Sequence, residues 1–176
     1  MKTREKVFFI IGIVALVMFS IYSINQTIDK TNKLKKTLEE ETYKPKSVSV
    51  NTMLLEYVLE YRLILTSNNI KIPWGKLVVI SFDPGLGYNT LGLAFGMYVD
   101  EVTIIHINPY KWKFLTNQQK RMVMFHELTH DVFNIEHGSM ELMAPSLPKV
   151  TTKQSVDRSV EELLKVLKKT KHYEKR

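Results

Sequence analysis

The chain has 176 residues, of which 44% are hydrophobic, and this suits one folded domain with an appendage rather than two full domains. The formal net charge is +7, but the lysines are spread along the chain and no nucleic-acid-binding motif is present, so we expect no nucleic-acid partner. The absence of cysteine excludes disulfides, thiolate metal ligands, a thiol nucleophile and a lipid-modified cysteine.

An apolar run near the N-terminus predicts a membrane anchor. Residues 7–24 form an 18-residue stretch without a charge, and Lys2, Arg4 and Lys6 come before it. As a helix the run is roughly 27 Å long, about the thickness of the hydrocarbon core of a bilayer. A cleaved signal peptide is the alternative, although its apolar region is usually shorter and ends at a small-x-small site. The basic residues before the run favour a single-pass protein with a cytoplasmic N-terminus and an extracytoplasmic domain.

The rest of the chain divides into a linker and a domain. Residues 1–24 are predicted to be the cytoplasmic tail and anchor, and residues 25–49 are polar and charged, as in a linker. Pro45 disfavours a helix at the residue before it, so any helix in the linker is predicted to end there. Residues 50–176 carry the apolar periodicity of a folded domain.

Patterns of apolar residues predict the first elements of this domain. Apolar residues at helical spacing predict a packed helix over residues 51–66. Runs rich in β-branched residues predict strands over residues 77–82 and 102–107, and the second strand carries His106, for which we expect a structural role. The glycine-rich residues 83–96 lack the spacing of a nucleotide-binding loop and are predicted to form loop and hairpin structure.

A helix is predicted over residues 116–133, where Thr116 and Gln119 form the pattern of a capping box. One stripe of this helix is apolar and predicts its core face. The stripe consists of Met122, Phe125, Leu128, Thr129, Val132 and Phe133.

A different face of this helix carries His126, Glu127 and His130. Residues four apart differ by about 40° around a helix, so the two imidazoles project in one direction and are spaced as two ligands of one zinc ion. Glu127 is turned by about 100° from His126 and lies beside such an ion, where its carboxylate could take a proton from a metal-activated water and return it to a leaving amine. Short motifs of this kind also arise by chance, and the alternative is a helix with surface histidines.

His137 is the candidate third ligand. It can reach the first pair only if the helix ends and the chain turns back, and Asn134 is well suited to the left-handed conformation that ends helices. Gly138 then eases the exit of the chain. The other candidates for a third ligand are Glu136, Glu141, Glu161 and Glu162.

Further side chains are candidates for supporting roles. Asp131 is expected to be solvated, with a hydrogen bond to a ligand histidine as the alternative. Three tyrosines could donate a hydrogen bond to a developing oxyanion, and their spacing favours none of them. They are Tyr88, Tyr98 and Tyr110.

The stretch HELTHDVFNIEHGSMELMAP resembles the zincin metallopeptidases, and in particular the metzincins, whose signature is H-E-x-x-H-x-x-G-x-x-H followed by a methionine-containing turn. The stretch departs from that signature in two ways. Six residues instead of five separate His130 from His137, and Phe133 stands where the signature has glycine. Met143, followed by Ala-Pro, resembles the methionine of the turn. The strand over residues 102–107 resembles the edge strand that aligns the substrate in zincins.

The resemblance implies an α+β, zincin-like fold: a small twisted sheet packed on the metal helix, with a helix before it and one after it. That last helix is predicted to begin near Ser155 or Asp157. The resemblance also implies a zinc peptidase acting on peptides or proteins, with His126, His130 and His137 as ligands and Glu127 as general base. A glutamate as third ligand would instead resemble the gluzincins. The alternative function is a non-catalytic, membrane-tethered module with a structural or vacant metal site.

Overall fold

The computed structural model describes residues 46–99, 101–148 and 150–170. The predicted anchor and nearly all of the predicted linker lie outside these residues. Among the described residues, no helix combines the length and the apolar character needed to cross a bilayer.

A four-stranded mixed sheet organises the domain. Its strands are β1 (Ser47–Val50), β2 (Leu77–Phe82), β3 (Gly92–Ala94) and β4 (Val102–Ile107). They lie in the order β1-β2-β4-β3, with β1, β2 and β4 parallel and β3 antiparallel to β4. Side chains alternate between the two faces of each strand, and one face of the sheet is buried against the helices. The buried face carries Val78, Ile80, Thr103, Ile105 and Ile107.

Four α-helices and one short 3-10 helix complete the described fold. They are α1 (Thr52–Ser67), α2 (Pro109–Trp112), α3 (Asn117–Phe133), the 3-10 helix Glu141–Met143 and α4 (Lys153–Lys169). Helix α3 packs against β3 and β4, and both α1 and α4 pack against α3. The Tyr61 ring of α1 lies 5.2 Å from the Phe125 ring of α3, and its hydroxyl bonds to Thr129 at 2.9 Å. Helix α3 is therefore covered on three sides, by the sheet and by two helices.

The α+β class and the main elements are confirmed. The predicted helix over residues 51–66 corresponds to α1, and the predicted strands match β2 and β4 residue for residue. Residues 83–96, predicted to form loop and hairpin structure, contain β3, which pairs with β4 outside that stretch. All six residues of the predicted core stripe of α3 are buried.

Two elements begin at positions that the sequence patterns did not indicate. Strand β1 begins at Ser47, inside the predicted linker, because its backbone completes the parallel edge of β2 even though its side chains are mostly exposed. Helix α4 begins at Lys153 rather than near Ser155 or Asp157. Its capping box places Thr152 at the N-cap, where the hydroxyl accepts from the Ser155 amide.

The predicted edge strand is also wrong. Strand β4 pairs with β2 on one side and with β3 on the other, so it lies inside the sheet. The edge beside α3 is β3, which has only three residues and contains a glycine. Its composition carries little strand signal, because glycine is depleted in strands.

Candidate metal centre

Helix α3 presents the motif residues on a rigid support. The Thr116 hydroxyl accepts from the Gln119 amide while the Gln119 side chain accepts from the Thr116 amide, so the predicted capping box is present. His126, Glu127 and His130 all line a cleft of about 1040 Å³ between α3, β3 and the segment after the 3-10 helix.

The chain reverses at Asn134, as predicted. This residue is left-handed, with φ 55° and ψ 34°, and it ends α3 one residue after Phe133. A left-handed residue redirects the chain after the last helical turn. His137 is thereby returned to the histidine pair.

The three histidines meet at one point. His126 Nε2 lies 3.0 Å from His130 Nε2 and 3.3 Å from His137 Nε2. Two ligands about 2.05 Å from a tetrahedral zinc ion are separated by roughly 3.3 Å, so these spacings fit a shared ion. Within the described residues, the group of three or more potential ligands that could hold a metal is this one.

Backbone carbonyls orient two of the rings. His126 Nδ1 lies 2.6 Å from the Leu142 oxygen, and His130 Nδ1 lies 2.5 Å from the Ile135 oxygen. A carbonyl oxygen only accepts, so each Nδ1 carries the proton and each Nε2 presents a lone pair. Two lone pairs 3.0 Å apart repel each other, and a shared cation would remove that repulsion. The donor set therefore fits a divalent metal that prefers imidazole.

Burial keeps the first two histidines neutral. It lowers the pKa of His126 from 6.5 to about 4, with the Leu142 carbonyl opposing the shift. Burial also lowers the pKa of His130, against the effect of the Ile135 carbonyl. Neutral imidazole is the form that binds metal, so these rings are ready to bind at neutral pH.

Glu127 is buried beside the triad, with 7% of its surface exposed. Burial raises its pKa from 4.5 to about 8, and the nearby charge of Asp131 adds to the shift. A Cβ at Gly92 would lie 2.5 Å from Glu127 Oε1, so the backbone of β3 lies directly on this carboxylate. The Glu127 carboxylate and the backbone of the edge strand are therefore in direct contact.

Asp131 is fully buried rather than solvated, as it was expected to be. Its side chain bonds to backbone amides of the β3–β4 hairpin. Its Oδ2 accepts from Gly96 N at 2.8 Å and from Ile104 N at 3.1 Å. Gly96 has no room for a side chain, since a Cβ there would lie 2.4 Å from the same oxygen. Asp131 thus fastens the β3–β4 hairpin to α3, one turn beyond Glu127.

The 3-10 helix Glu141–Met143, which follows α3, supports the histidine cluster through its backbone carbonyls. Met143 is fully buried, and its carbonyl accepts from Gly138 N at 3.1 Å, next to His137. The neighbouring Leu142 carbonyl orients His126. This one turn therefore contacts His126 directly and holds the backbone next to His137. The sequence signal for the turn was Met-Ala-Pro, which does not indicate which carbonyls face the histidines.

Of the three candidate tyrosines, Tyr98 lines the cleft. Its hydroxyl donates to Glu136 Oε1 at 2.5 Å, and its amide donates to Asn134 Oδ1 at 2.7 Å. Glu136 is therefore engaged by the β3–β4 loop while His137 turns towards the other histidines.

The remaining candidates lie apart from the triad or serve other contacts. Glu141 lines the cleft and accepts from the Ser159 hydroxyl at 3.2 Å. Glu161 and Glu162 are exposed on α4. His106 Nδ1 lies 3.2 Å from Asp83 Oδ2, and its ring contacts Phe95, which fits the structural role expected for it.

Comparisons with protein-family models, curated proteins and solved structures gave no match to this chain. The interpretation of the site therefore depends on its own residues and geometry.

Proposed function

We propose that the chain is a membrane-anchored zinc peptidase that hydrolyses peptide bonds in peptides or proteins on the extracytoplasmic side. The observation that carries this proposal is the convergence of three imidazole Nε2 atoms in an open cleft beside a buried glutamate. His126, His130 and His137 would hold zinc, and Glu127 would serve as general base.

A zinc ion bound to three histidines would supply Lewis acidity, which makes water acidic enough to ionise near neutral pH and polarises a carbonyl group. The chain itself moves the proton. Glu127 accepts a proton from the attacking water on a carboxylate oxygen and delivers it to the nitrogen of the leaving amine. A pKa near 8 in the metal-free site means that the carboxyl can hold this proton at neutral pH, and a cation beside it would lower that pKa.

The edge strand supports a peptide as the substrate. Residues 91, 93 and 95 direct their backbone groups towards β4, because Asn108 N bonds to Leu91 O and Phe95 N bonds to Ile104 O. The alternate residues Gly92 and Ala94 therefore direct theirs away from β4. These residues line the cleft, where an extended peptide could add as a further strand above Glu127.

The test measures zinc content and hydrolysis on one preparation. Full-length chain in detergent is loaded with zinc, freed of excess metal and incubated with a mixed peptide library. We expect about one zinc per chain and cleavage, whereas Glu127→Ala should keep zinc and lose activity by on the order of 10²–10⁴-fold. Glu162→Ala is the matched control, because this glutamate is exposed on α4.

Each alternative has its own result. A chain that holds zinc tightly but cleaves nothing, with or without Glu127, would support a structural metal site. A chain that binds no zinc would support a vacant motif. Equal cleavage by the wild type and Glu127→Ala would remove Glu127 as the base.

A further inference from the structure

We propose that an aromatic and basic patch at one end of the cleft docks on the surface of an anionic bilayer. The patch consists of Tyr88, Tyr110, Lys111, Lys113 and Phe114. This inference goes beyond the proposed hydrolysis and does not depend on it, but it rests on the membrane anchor that is part of the proposed function.

The aromatic rings of the patch are unusually exposed. Tyr88 is 90% exposed, Phe114 is 79% exposed and Tyr110 is 60% exposed. Lys111 Nζ lies 5.5 Å from the centre of the Tyr88 ring, and Lys113 Nζ lies 4.9 Å from the centre of the Phe114 ring. Large rings beside ammonium groups are the combination found at membrane interfaces, where rings enter the headgroup region and cations remain at the surface.

The patch is held by the fold. Tyr88 precedes β3, and Tyr110 belongs to α2, which follows β4. Because β3 and β4 are antiparallel, both segments lie at the same end of the hairpin. Asn108 joins them: its amide nitrogen bonds to Leu91 O at 2.9 Å, and its side chain donates to Thr90 O at 3.1 Å. Hydrogen bonds from Asn108 therefore hold together the two backbone segments that carry Tyr88 and Tyr110.

The patch itself carries only positive charge. Asp83 lies at the same end of the sheet, where its amide bonds to Ile107 O, but its Oδ1 accepts from Gly85 N at 2.8 Å and its Oδ2 lies 3.2 Å from His106 Nδ1. From residue 84 to residue 126 the acidic residues are Asp100 and Glu101, which come between β3 and β4 in the sequence. Glu101 is separated from the patch by the six residues of β4, roughly 20 Å of extended chain. Lys120 adds a third ammonium group, 5.5 Å from the Trp112 ring. The patch is therefore complementary to an anionic surface.

A bilayer explains the rings and the charges together. An acidic peptide would neutralise the lysines, but it would leave the large exposed area of Tyr88 and Phe114 in water. The sequence also predicts that residues 7–24 tether this domain to a membrane, which keeps a bilayer surface within reach. Lys111 and Phe114 line the cleft, so docking through the patch would bring that end of the cleft to the bilayer.

Fluorescence can test this contact in the full chain. The chain has no cysteine, so Phe114→Cys creates a unique site for the environment-sensitive dye NBD. The labelled chain is reconstituted into vesicles of phosphatidylcholine alone or with about 30% phosphatidylglycerol, a composition that gives an anionic surface, and nitroxide-labelled acyl chains serve as quenchers. Tyr88→Cys is a second reporter, and Leu63→Cys, on α1 and 65% exposed, is the control position.

We expect the dye at positions 114 and 88 to shift to the blue and to be quenched from the bilayer in anionic vesicles, and less so at high salt. The dye at position 63 should remain in water. Replacing Lys111 and Lys113 with Gln should lower the ratio of docked to free domain roughly fivefold for each lysine. Lys165→Gln with Lys169→Gln, on α4, removes the same charge and should leave the ratio unchanged.

Three results would overturn the proposal. One is a water-like dye at both patch positions in anionic vesicles. Another is an equal response at position 63 or to the α4 lysine pair. The third is a response at position 114 to soluble polyglutamate, with none to anionic vesicles, which would assign the patch to acidic peptides.

Discussion

The backbone of Gly92 lies against the carboxylate of Glu127, so that a Cβ at position 92 would be 2.5 Å from Oε1 and 2.8 Å from Cγ. No glycine of the described residues has a positive φ, so Gly92 is not selected for its backbone conformation. Space leaves no room for a side chain here, because the edge strand and the Glu127 carboxylate occupy adjoining volumes. The position of any peptide paired with β3 would thereby be linked to the position of Glu127.

Gly92→Ala should therefore impair hydrolysis while sparing the metal. The added methyl must displace Glu127, and a displacement of about 1 Å in a catalytic group can reduce the rate on the order of 10²-fold. Zinc stoichiometry should stay at the wild-type value, because the His126 and His130 rings are held by backbone carbonyls of other segments. The measurement is kcat and zinc content on the same sample. Gly87→Ala is the matched control, since its Cβ would meet only Thr90 Oγ1, at 3.7 Å.

Asp131→Ala should destabilise the hairpin. The substitution removes the acceptor of the buried Gly96 amide and of the part-buried Ile104 amide, and an unsatisfied buried donor costs about 1–3 kcal/mol. We expect a loss on the order of 3 kcal/mol in the free energy of unfolding, measured with urea in the presence of a chelator. Asp131→Asn keeps one oxygen and should lose less.

Hydrogen exchange locates that effect. The amides of Gly96 and Ile104 should exchange faster in Asp131→Ala, whereas the amide of Val78, in β2, should change only with global stability. Uniformly faster exchange across the sheet would contradict a local role for Asp131 in fastening the hairpin.

Local patterns in the sequence predicted most of the elements that position the site. Periodicity defined α1 and α3, β-branched runs defined β2 and β4, and the left-handed Asn134 followed from the need to return His137. Each of these signals lies within a few residues of the element that it specifies, so the element can be predicted from the local sequence alone.

Contacts between distant segments were not predictable in this way. Strand β3 has little strand character of its own and forms because β4 offers an edge. Asp131 has the sequence context of a surface residue, and its burial depends on Gly96 from another element. The Leu142 and Ile135 carbonyls have no side-chain signal at all, although they set the histidine tautomers.

The left-handed residue at the end of α3 provides a further prediction. Asn134→Gly should keep zinc affinity within a few-fold, because glycine adopts a positive φ freely. Asn134→Val should weaken zinc binding by roughly tenfold, since a β-branched residue in this conformation costs at least about 1–2 kcal/mol and the chain would relax by moving His137. Competition with a chromogenic chelator measures both affinities.

Asn69 provides the matched control for the backbone strain that Asn134→Val introduces. It also has a positive φ, of 57°, in the loop after α1. Asn69→Val should lower thermal stability to a similar degree but leave zinc affinity unchanged. Loss of zinc affinity in Asn69→Val would show that general destabilisation, rather than the path to His137, controls the site.

The raised pKa of Glu127 predicts that the free energy of unfolding of the metal-free protein decreases as the pH rises. Glutamate ionises near 4.5 in the unfolded chain, but the folded pKa is about 8, so between these values the unfolded state releases a proton that the folded state keeps. The stability contributed by this group is complete below pH 4.5 and is lost as the pH rises through 8. A glutamine at this position does not ionise, so the Glu127→Gln variant has no such loss. In chelator, Glu127→Gln should therefore gain stability relative to the wild type as the pH rises, by up to a few kcal/mol.

Comparing two variants isolates this effect from the histidines. The pKa of His126 is lowered to about 4, so its stabilising contribution is present above 6.5 and is lost as the pH falls towards 4. That change is common to the wild type and Glu127→Gln and cancels in their difference. Glu162→Gln, at an exposed position, should follow the wild type at every pH. A difference between Glu127→Gln and the wild type that stays constant from about pH 5 to pH 8 would mean that Glu127 ionises as an ordinary carboxylate, and the geometry that buries it under Gly92 would not control its proton.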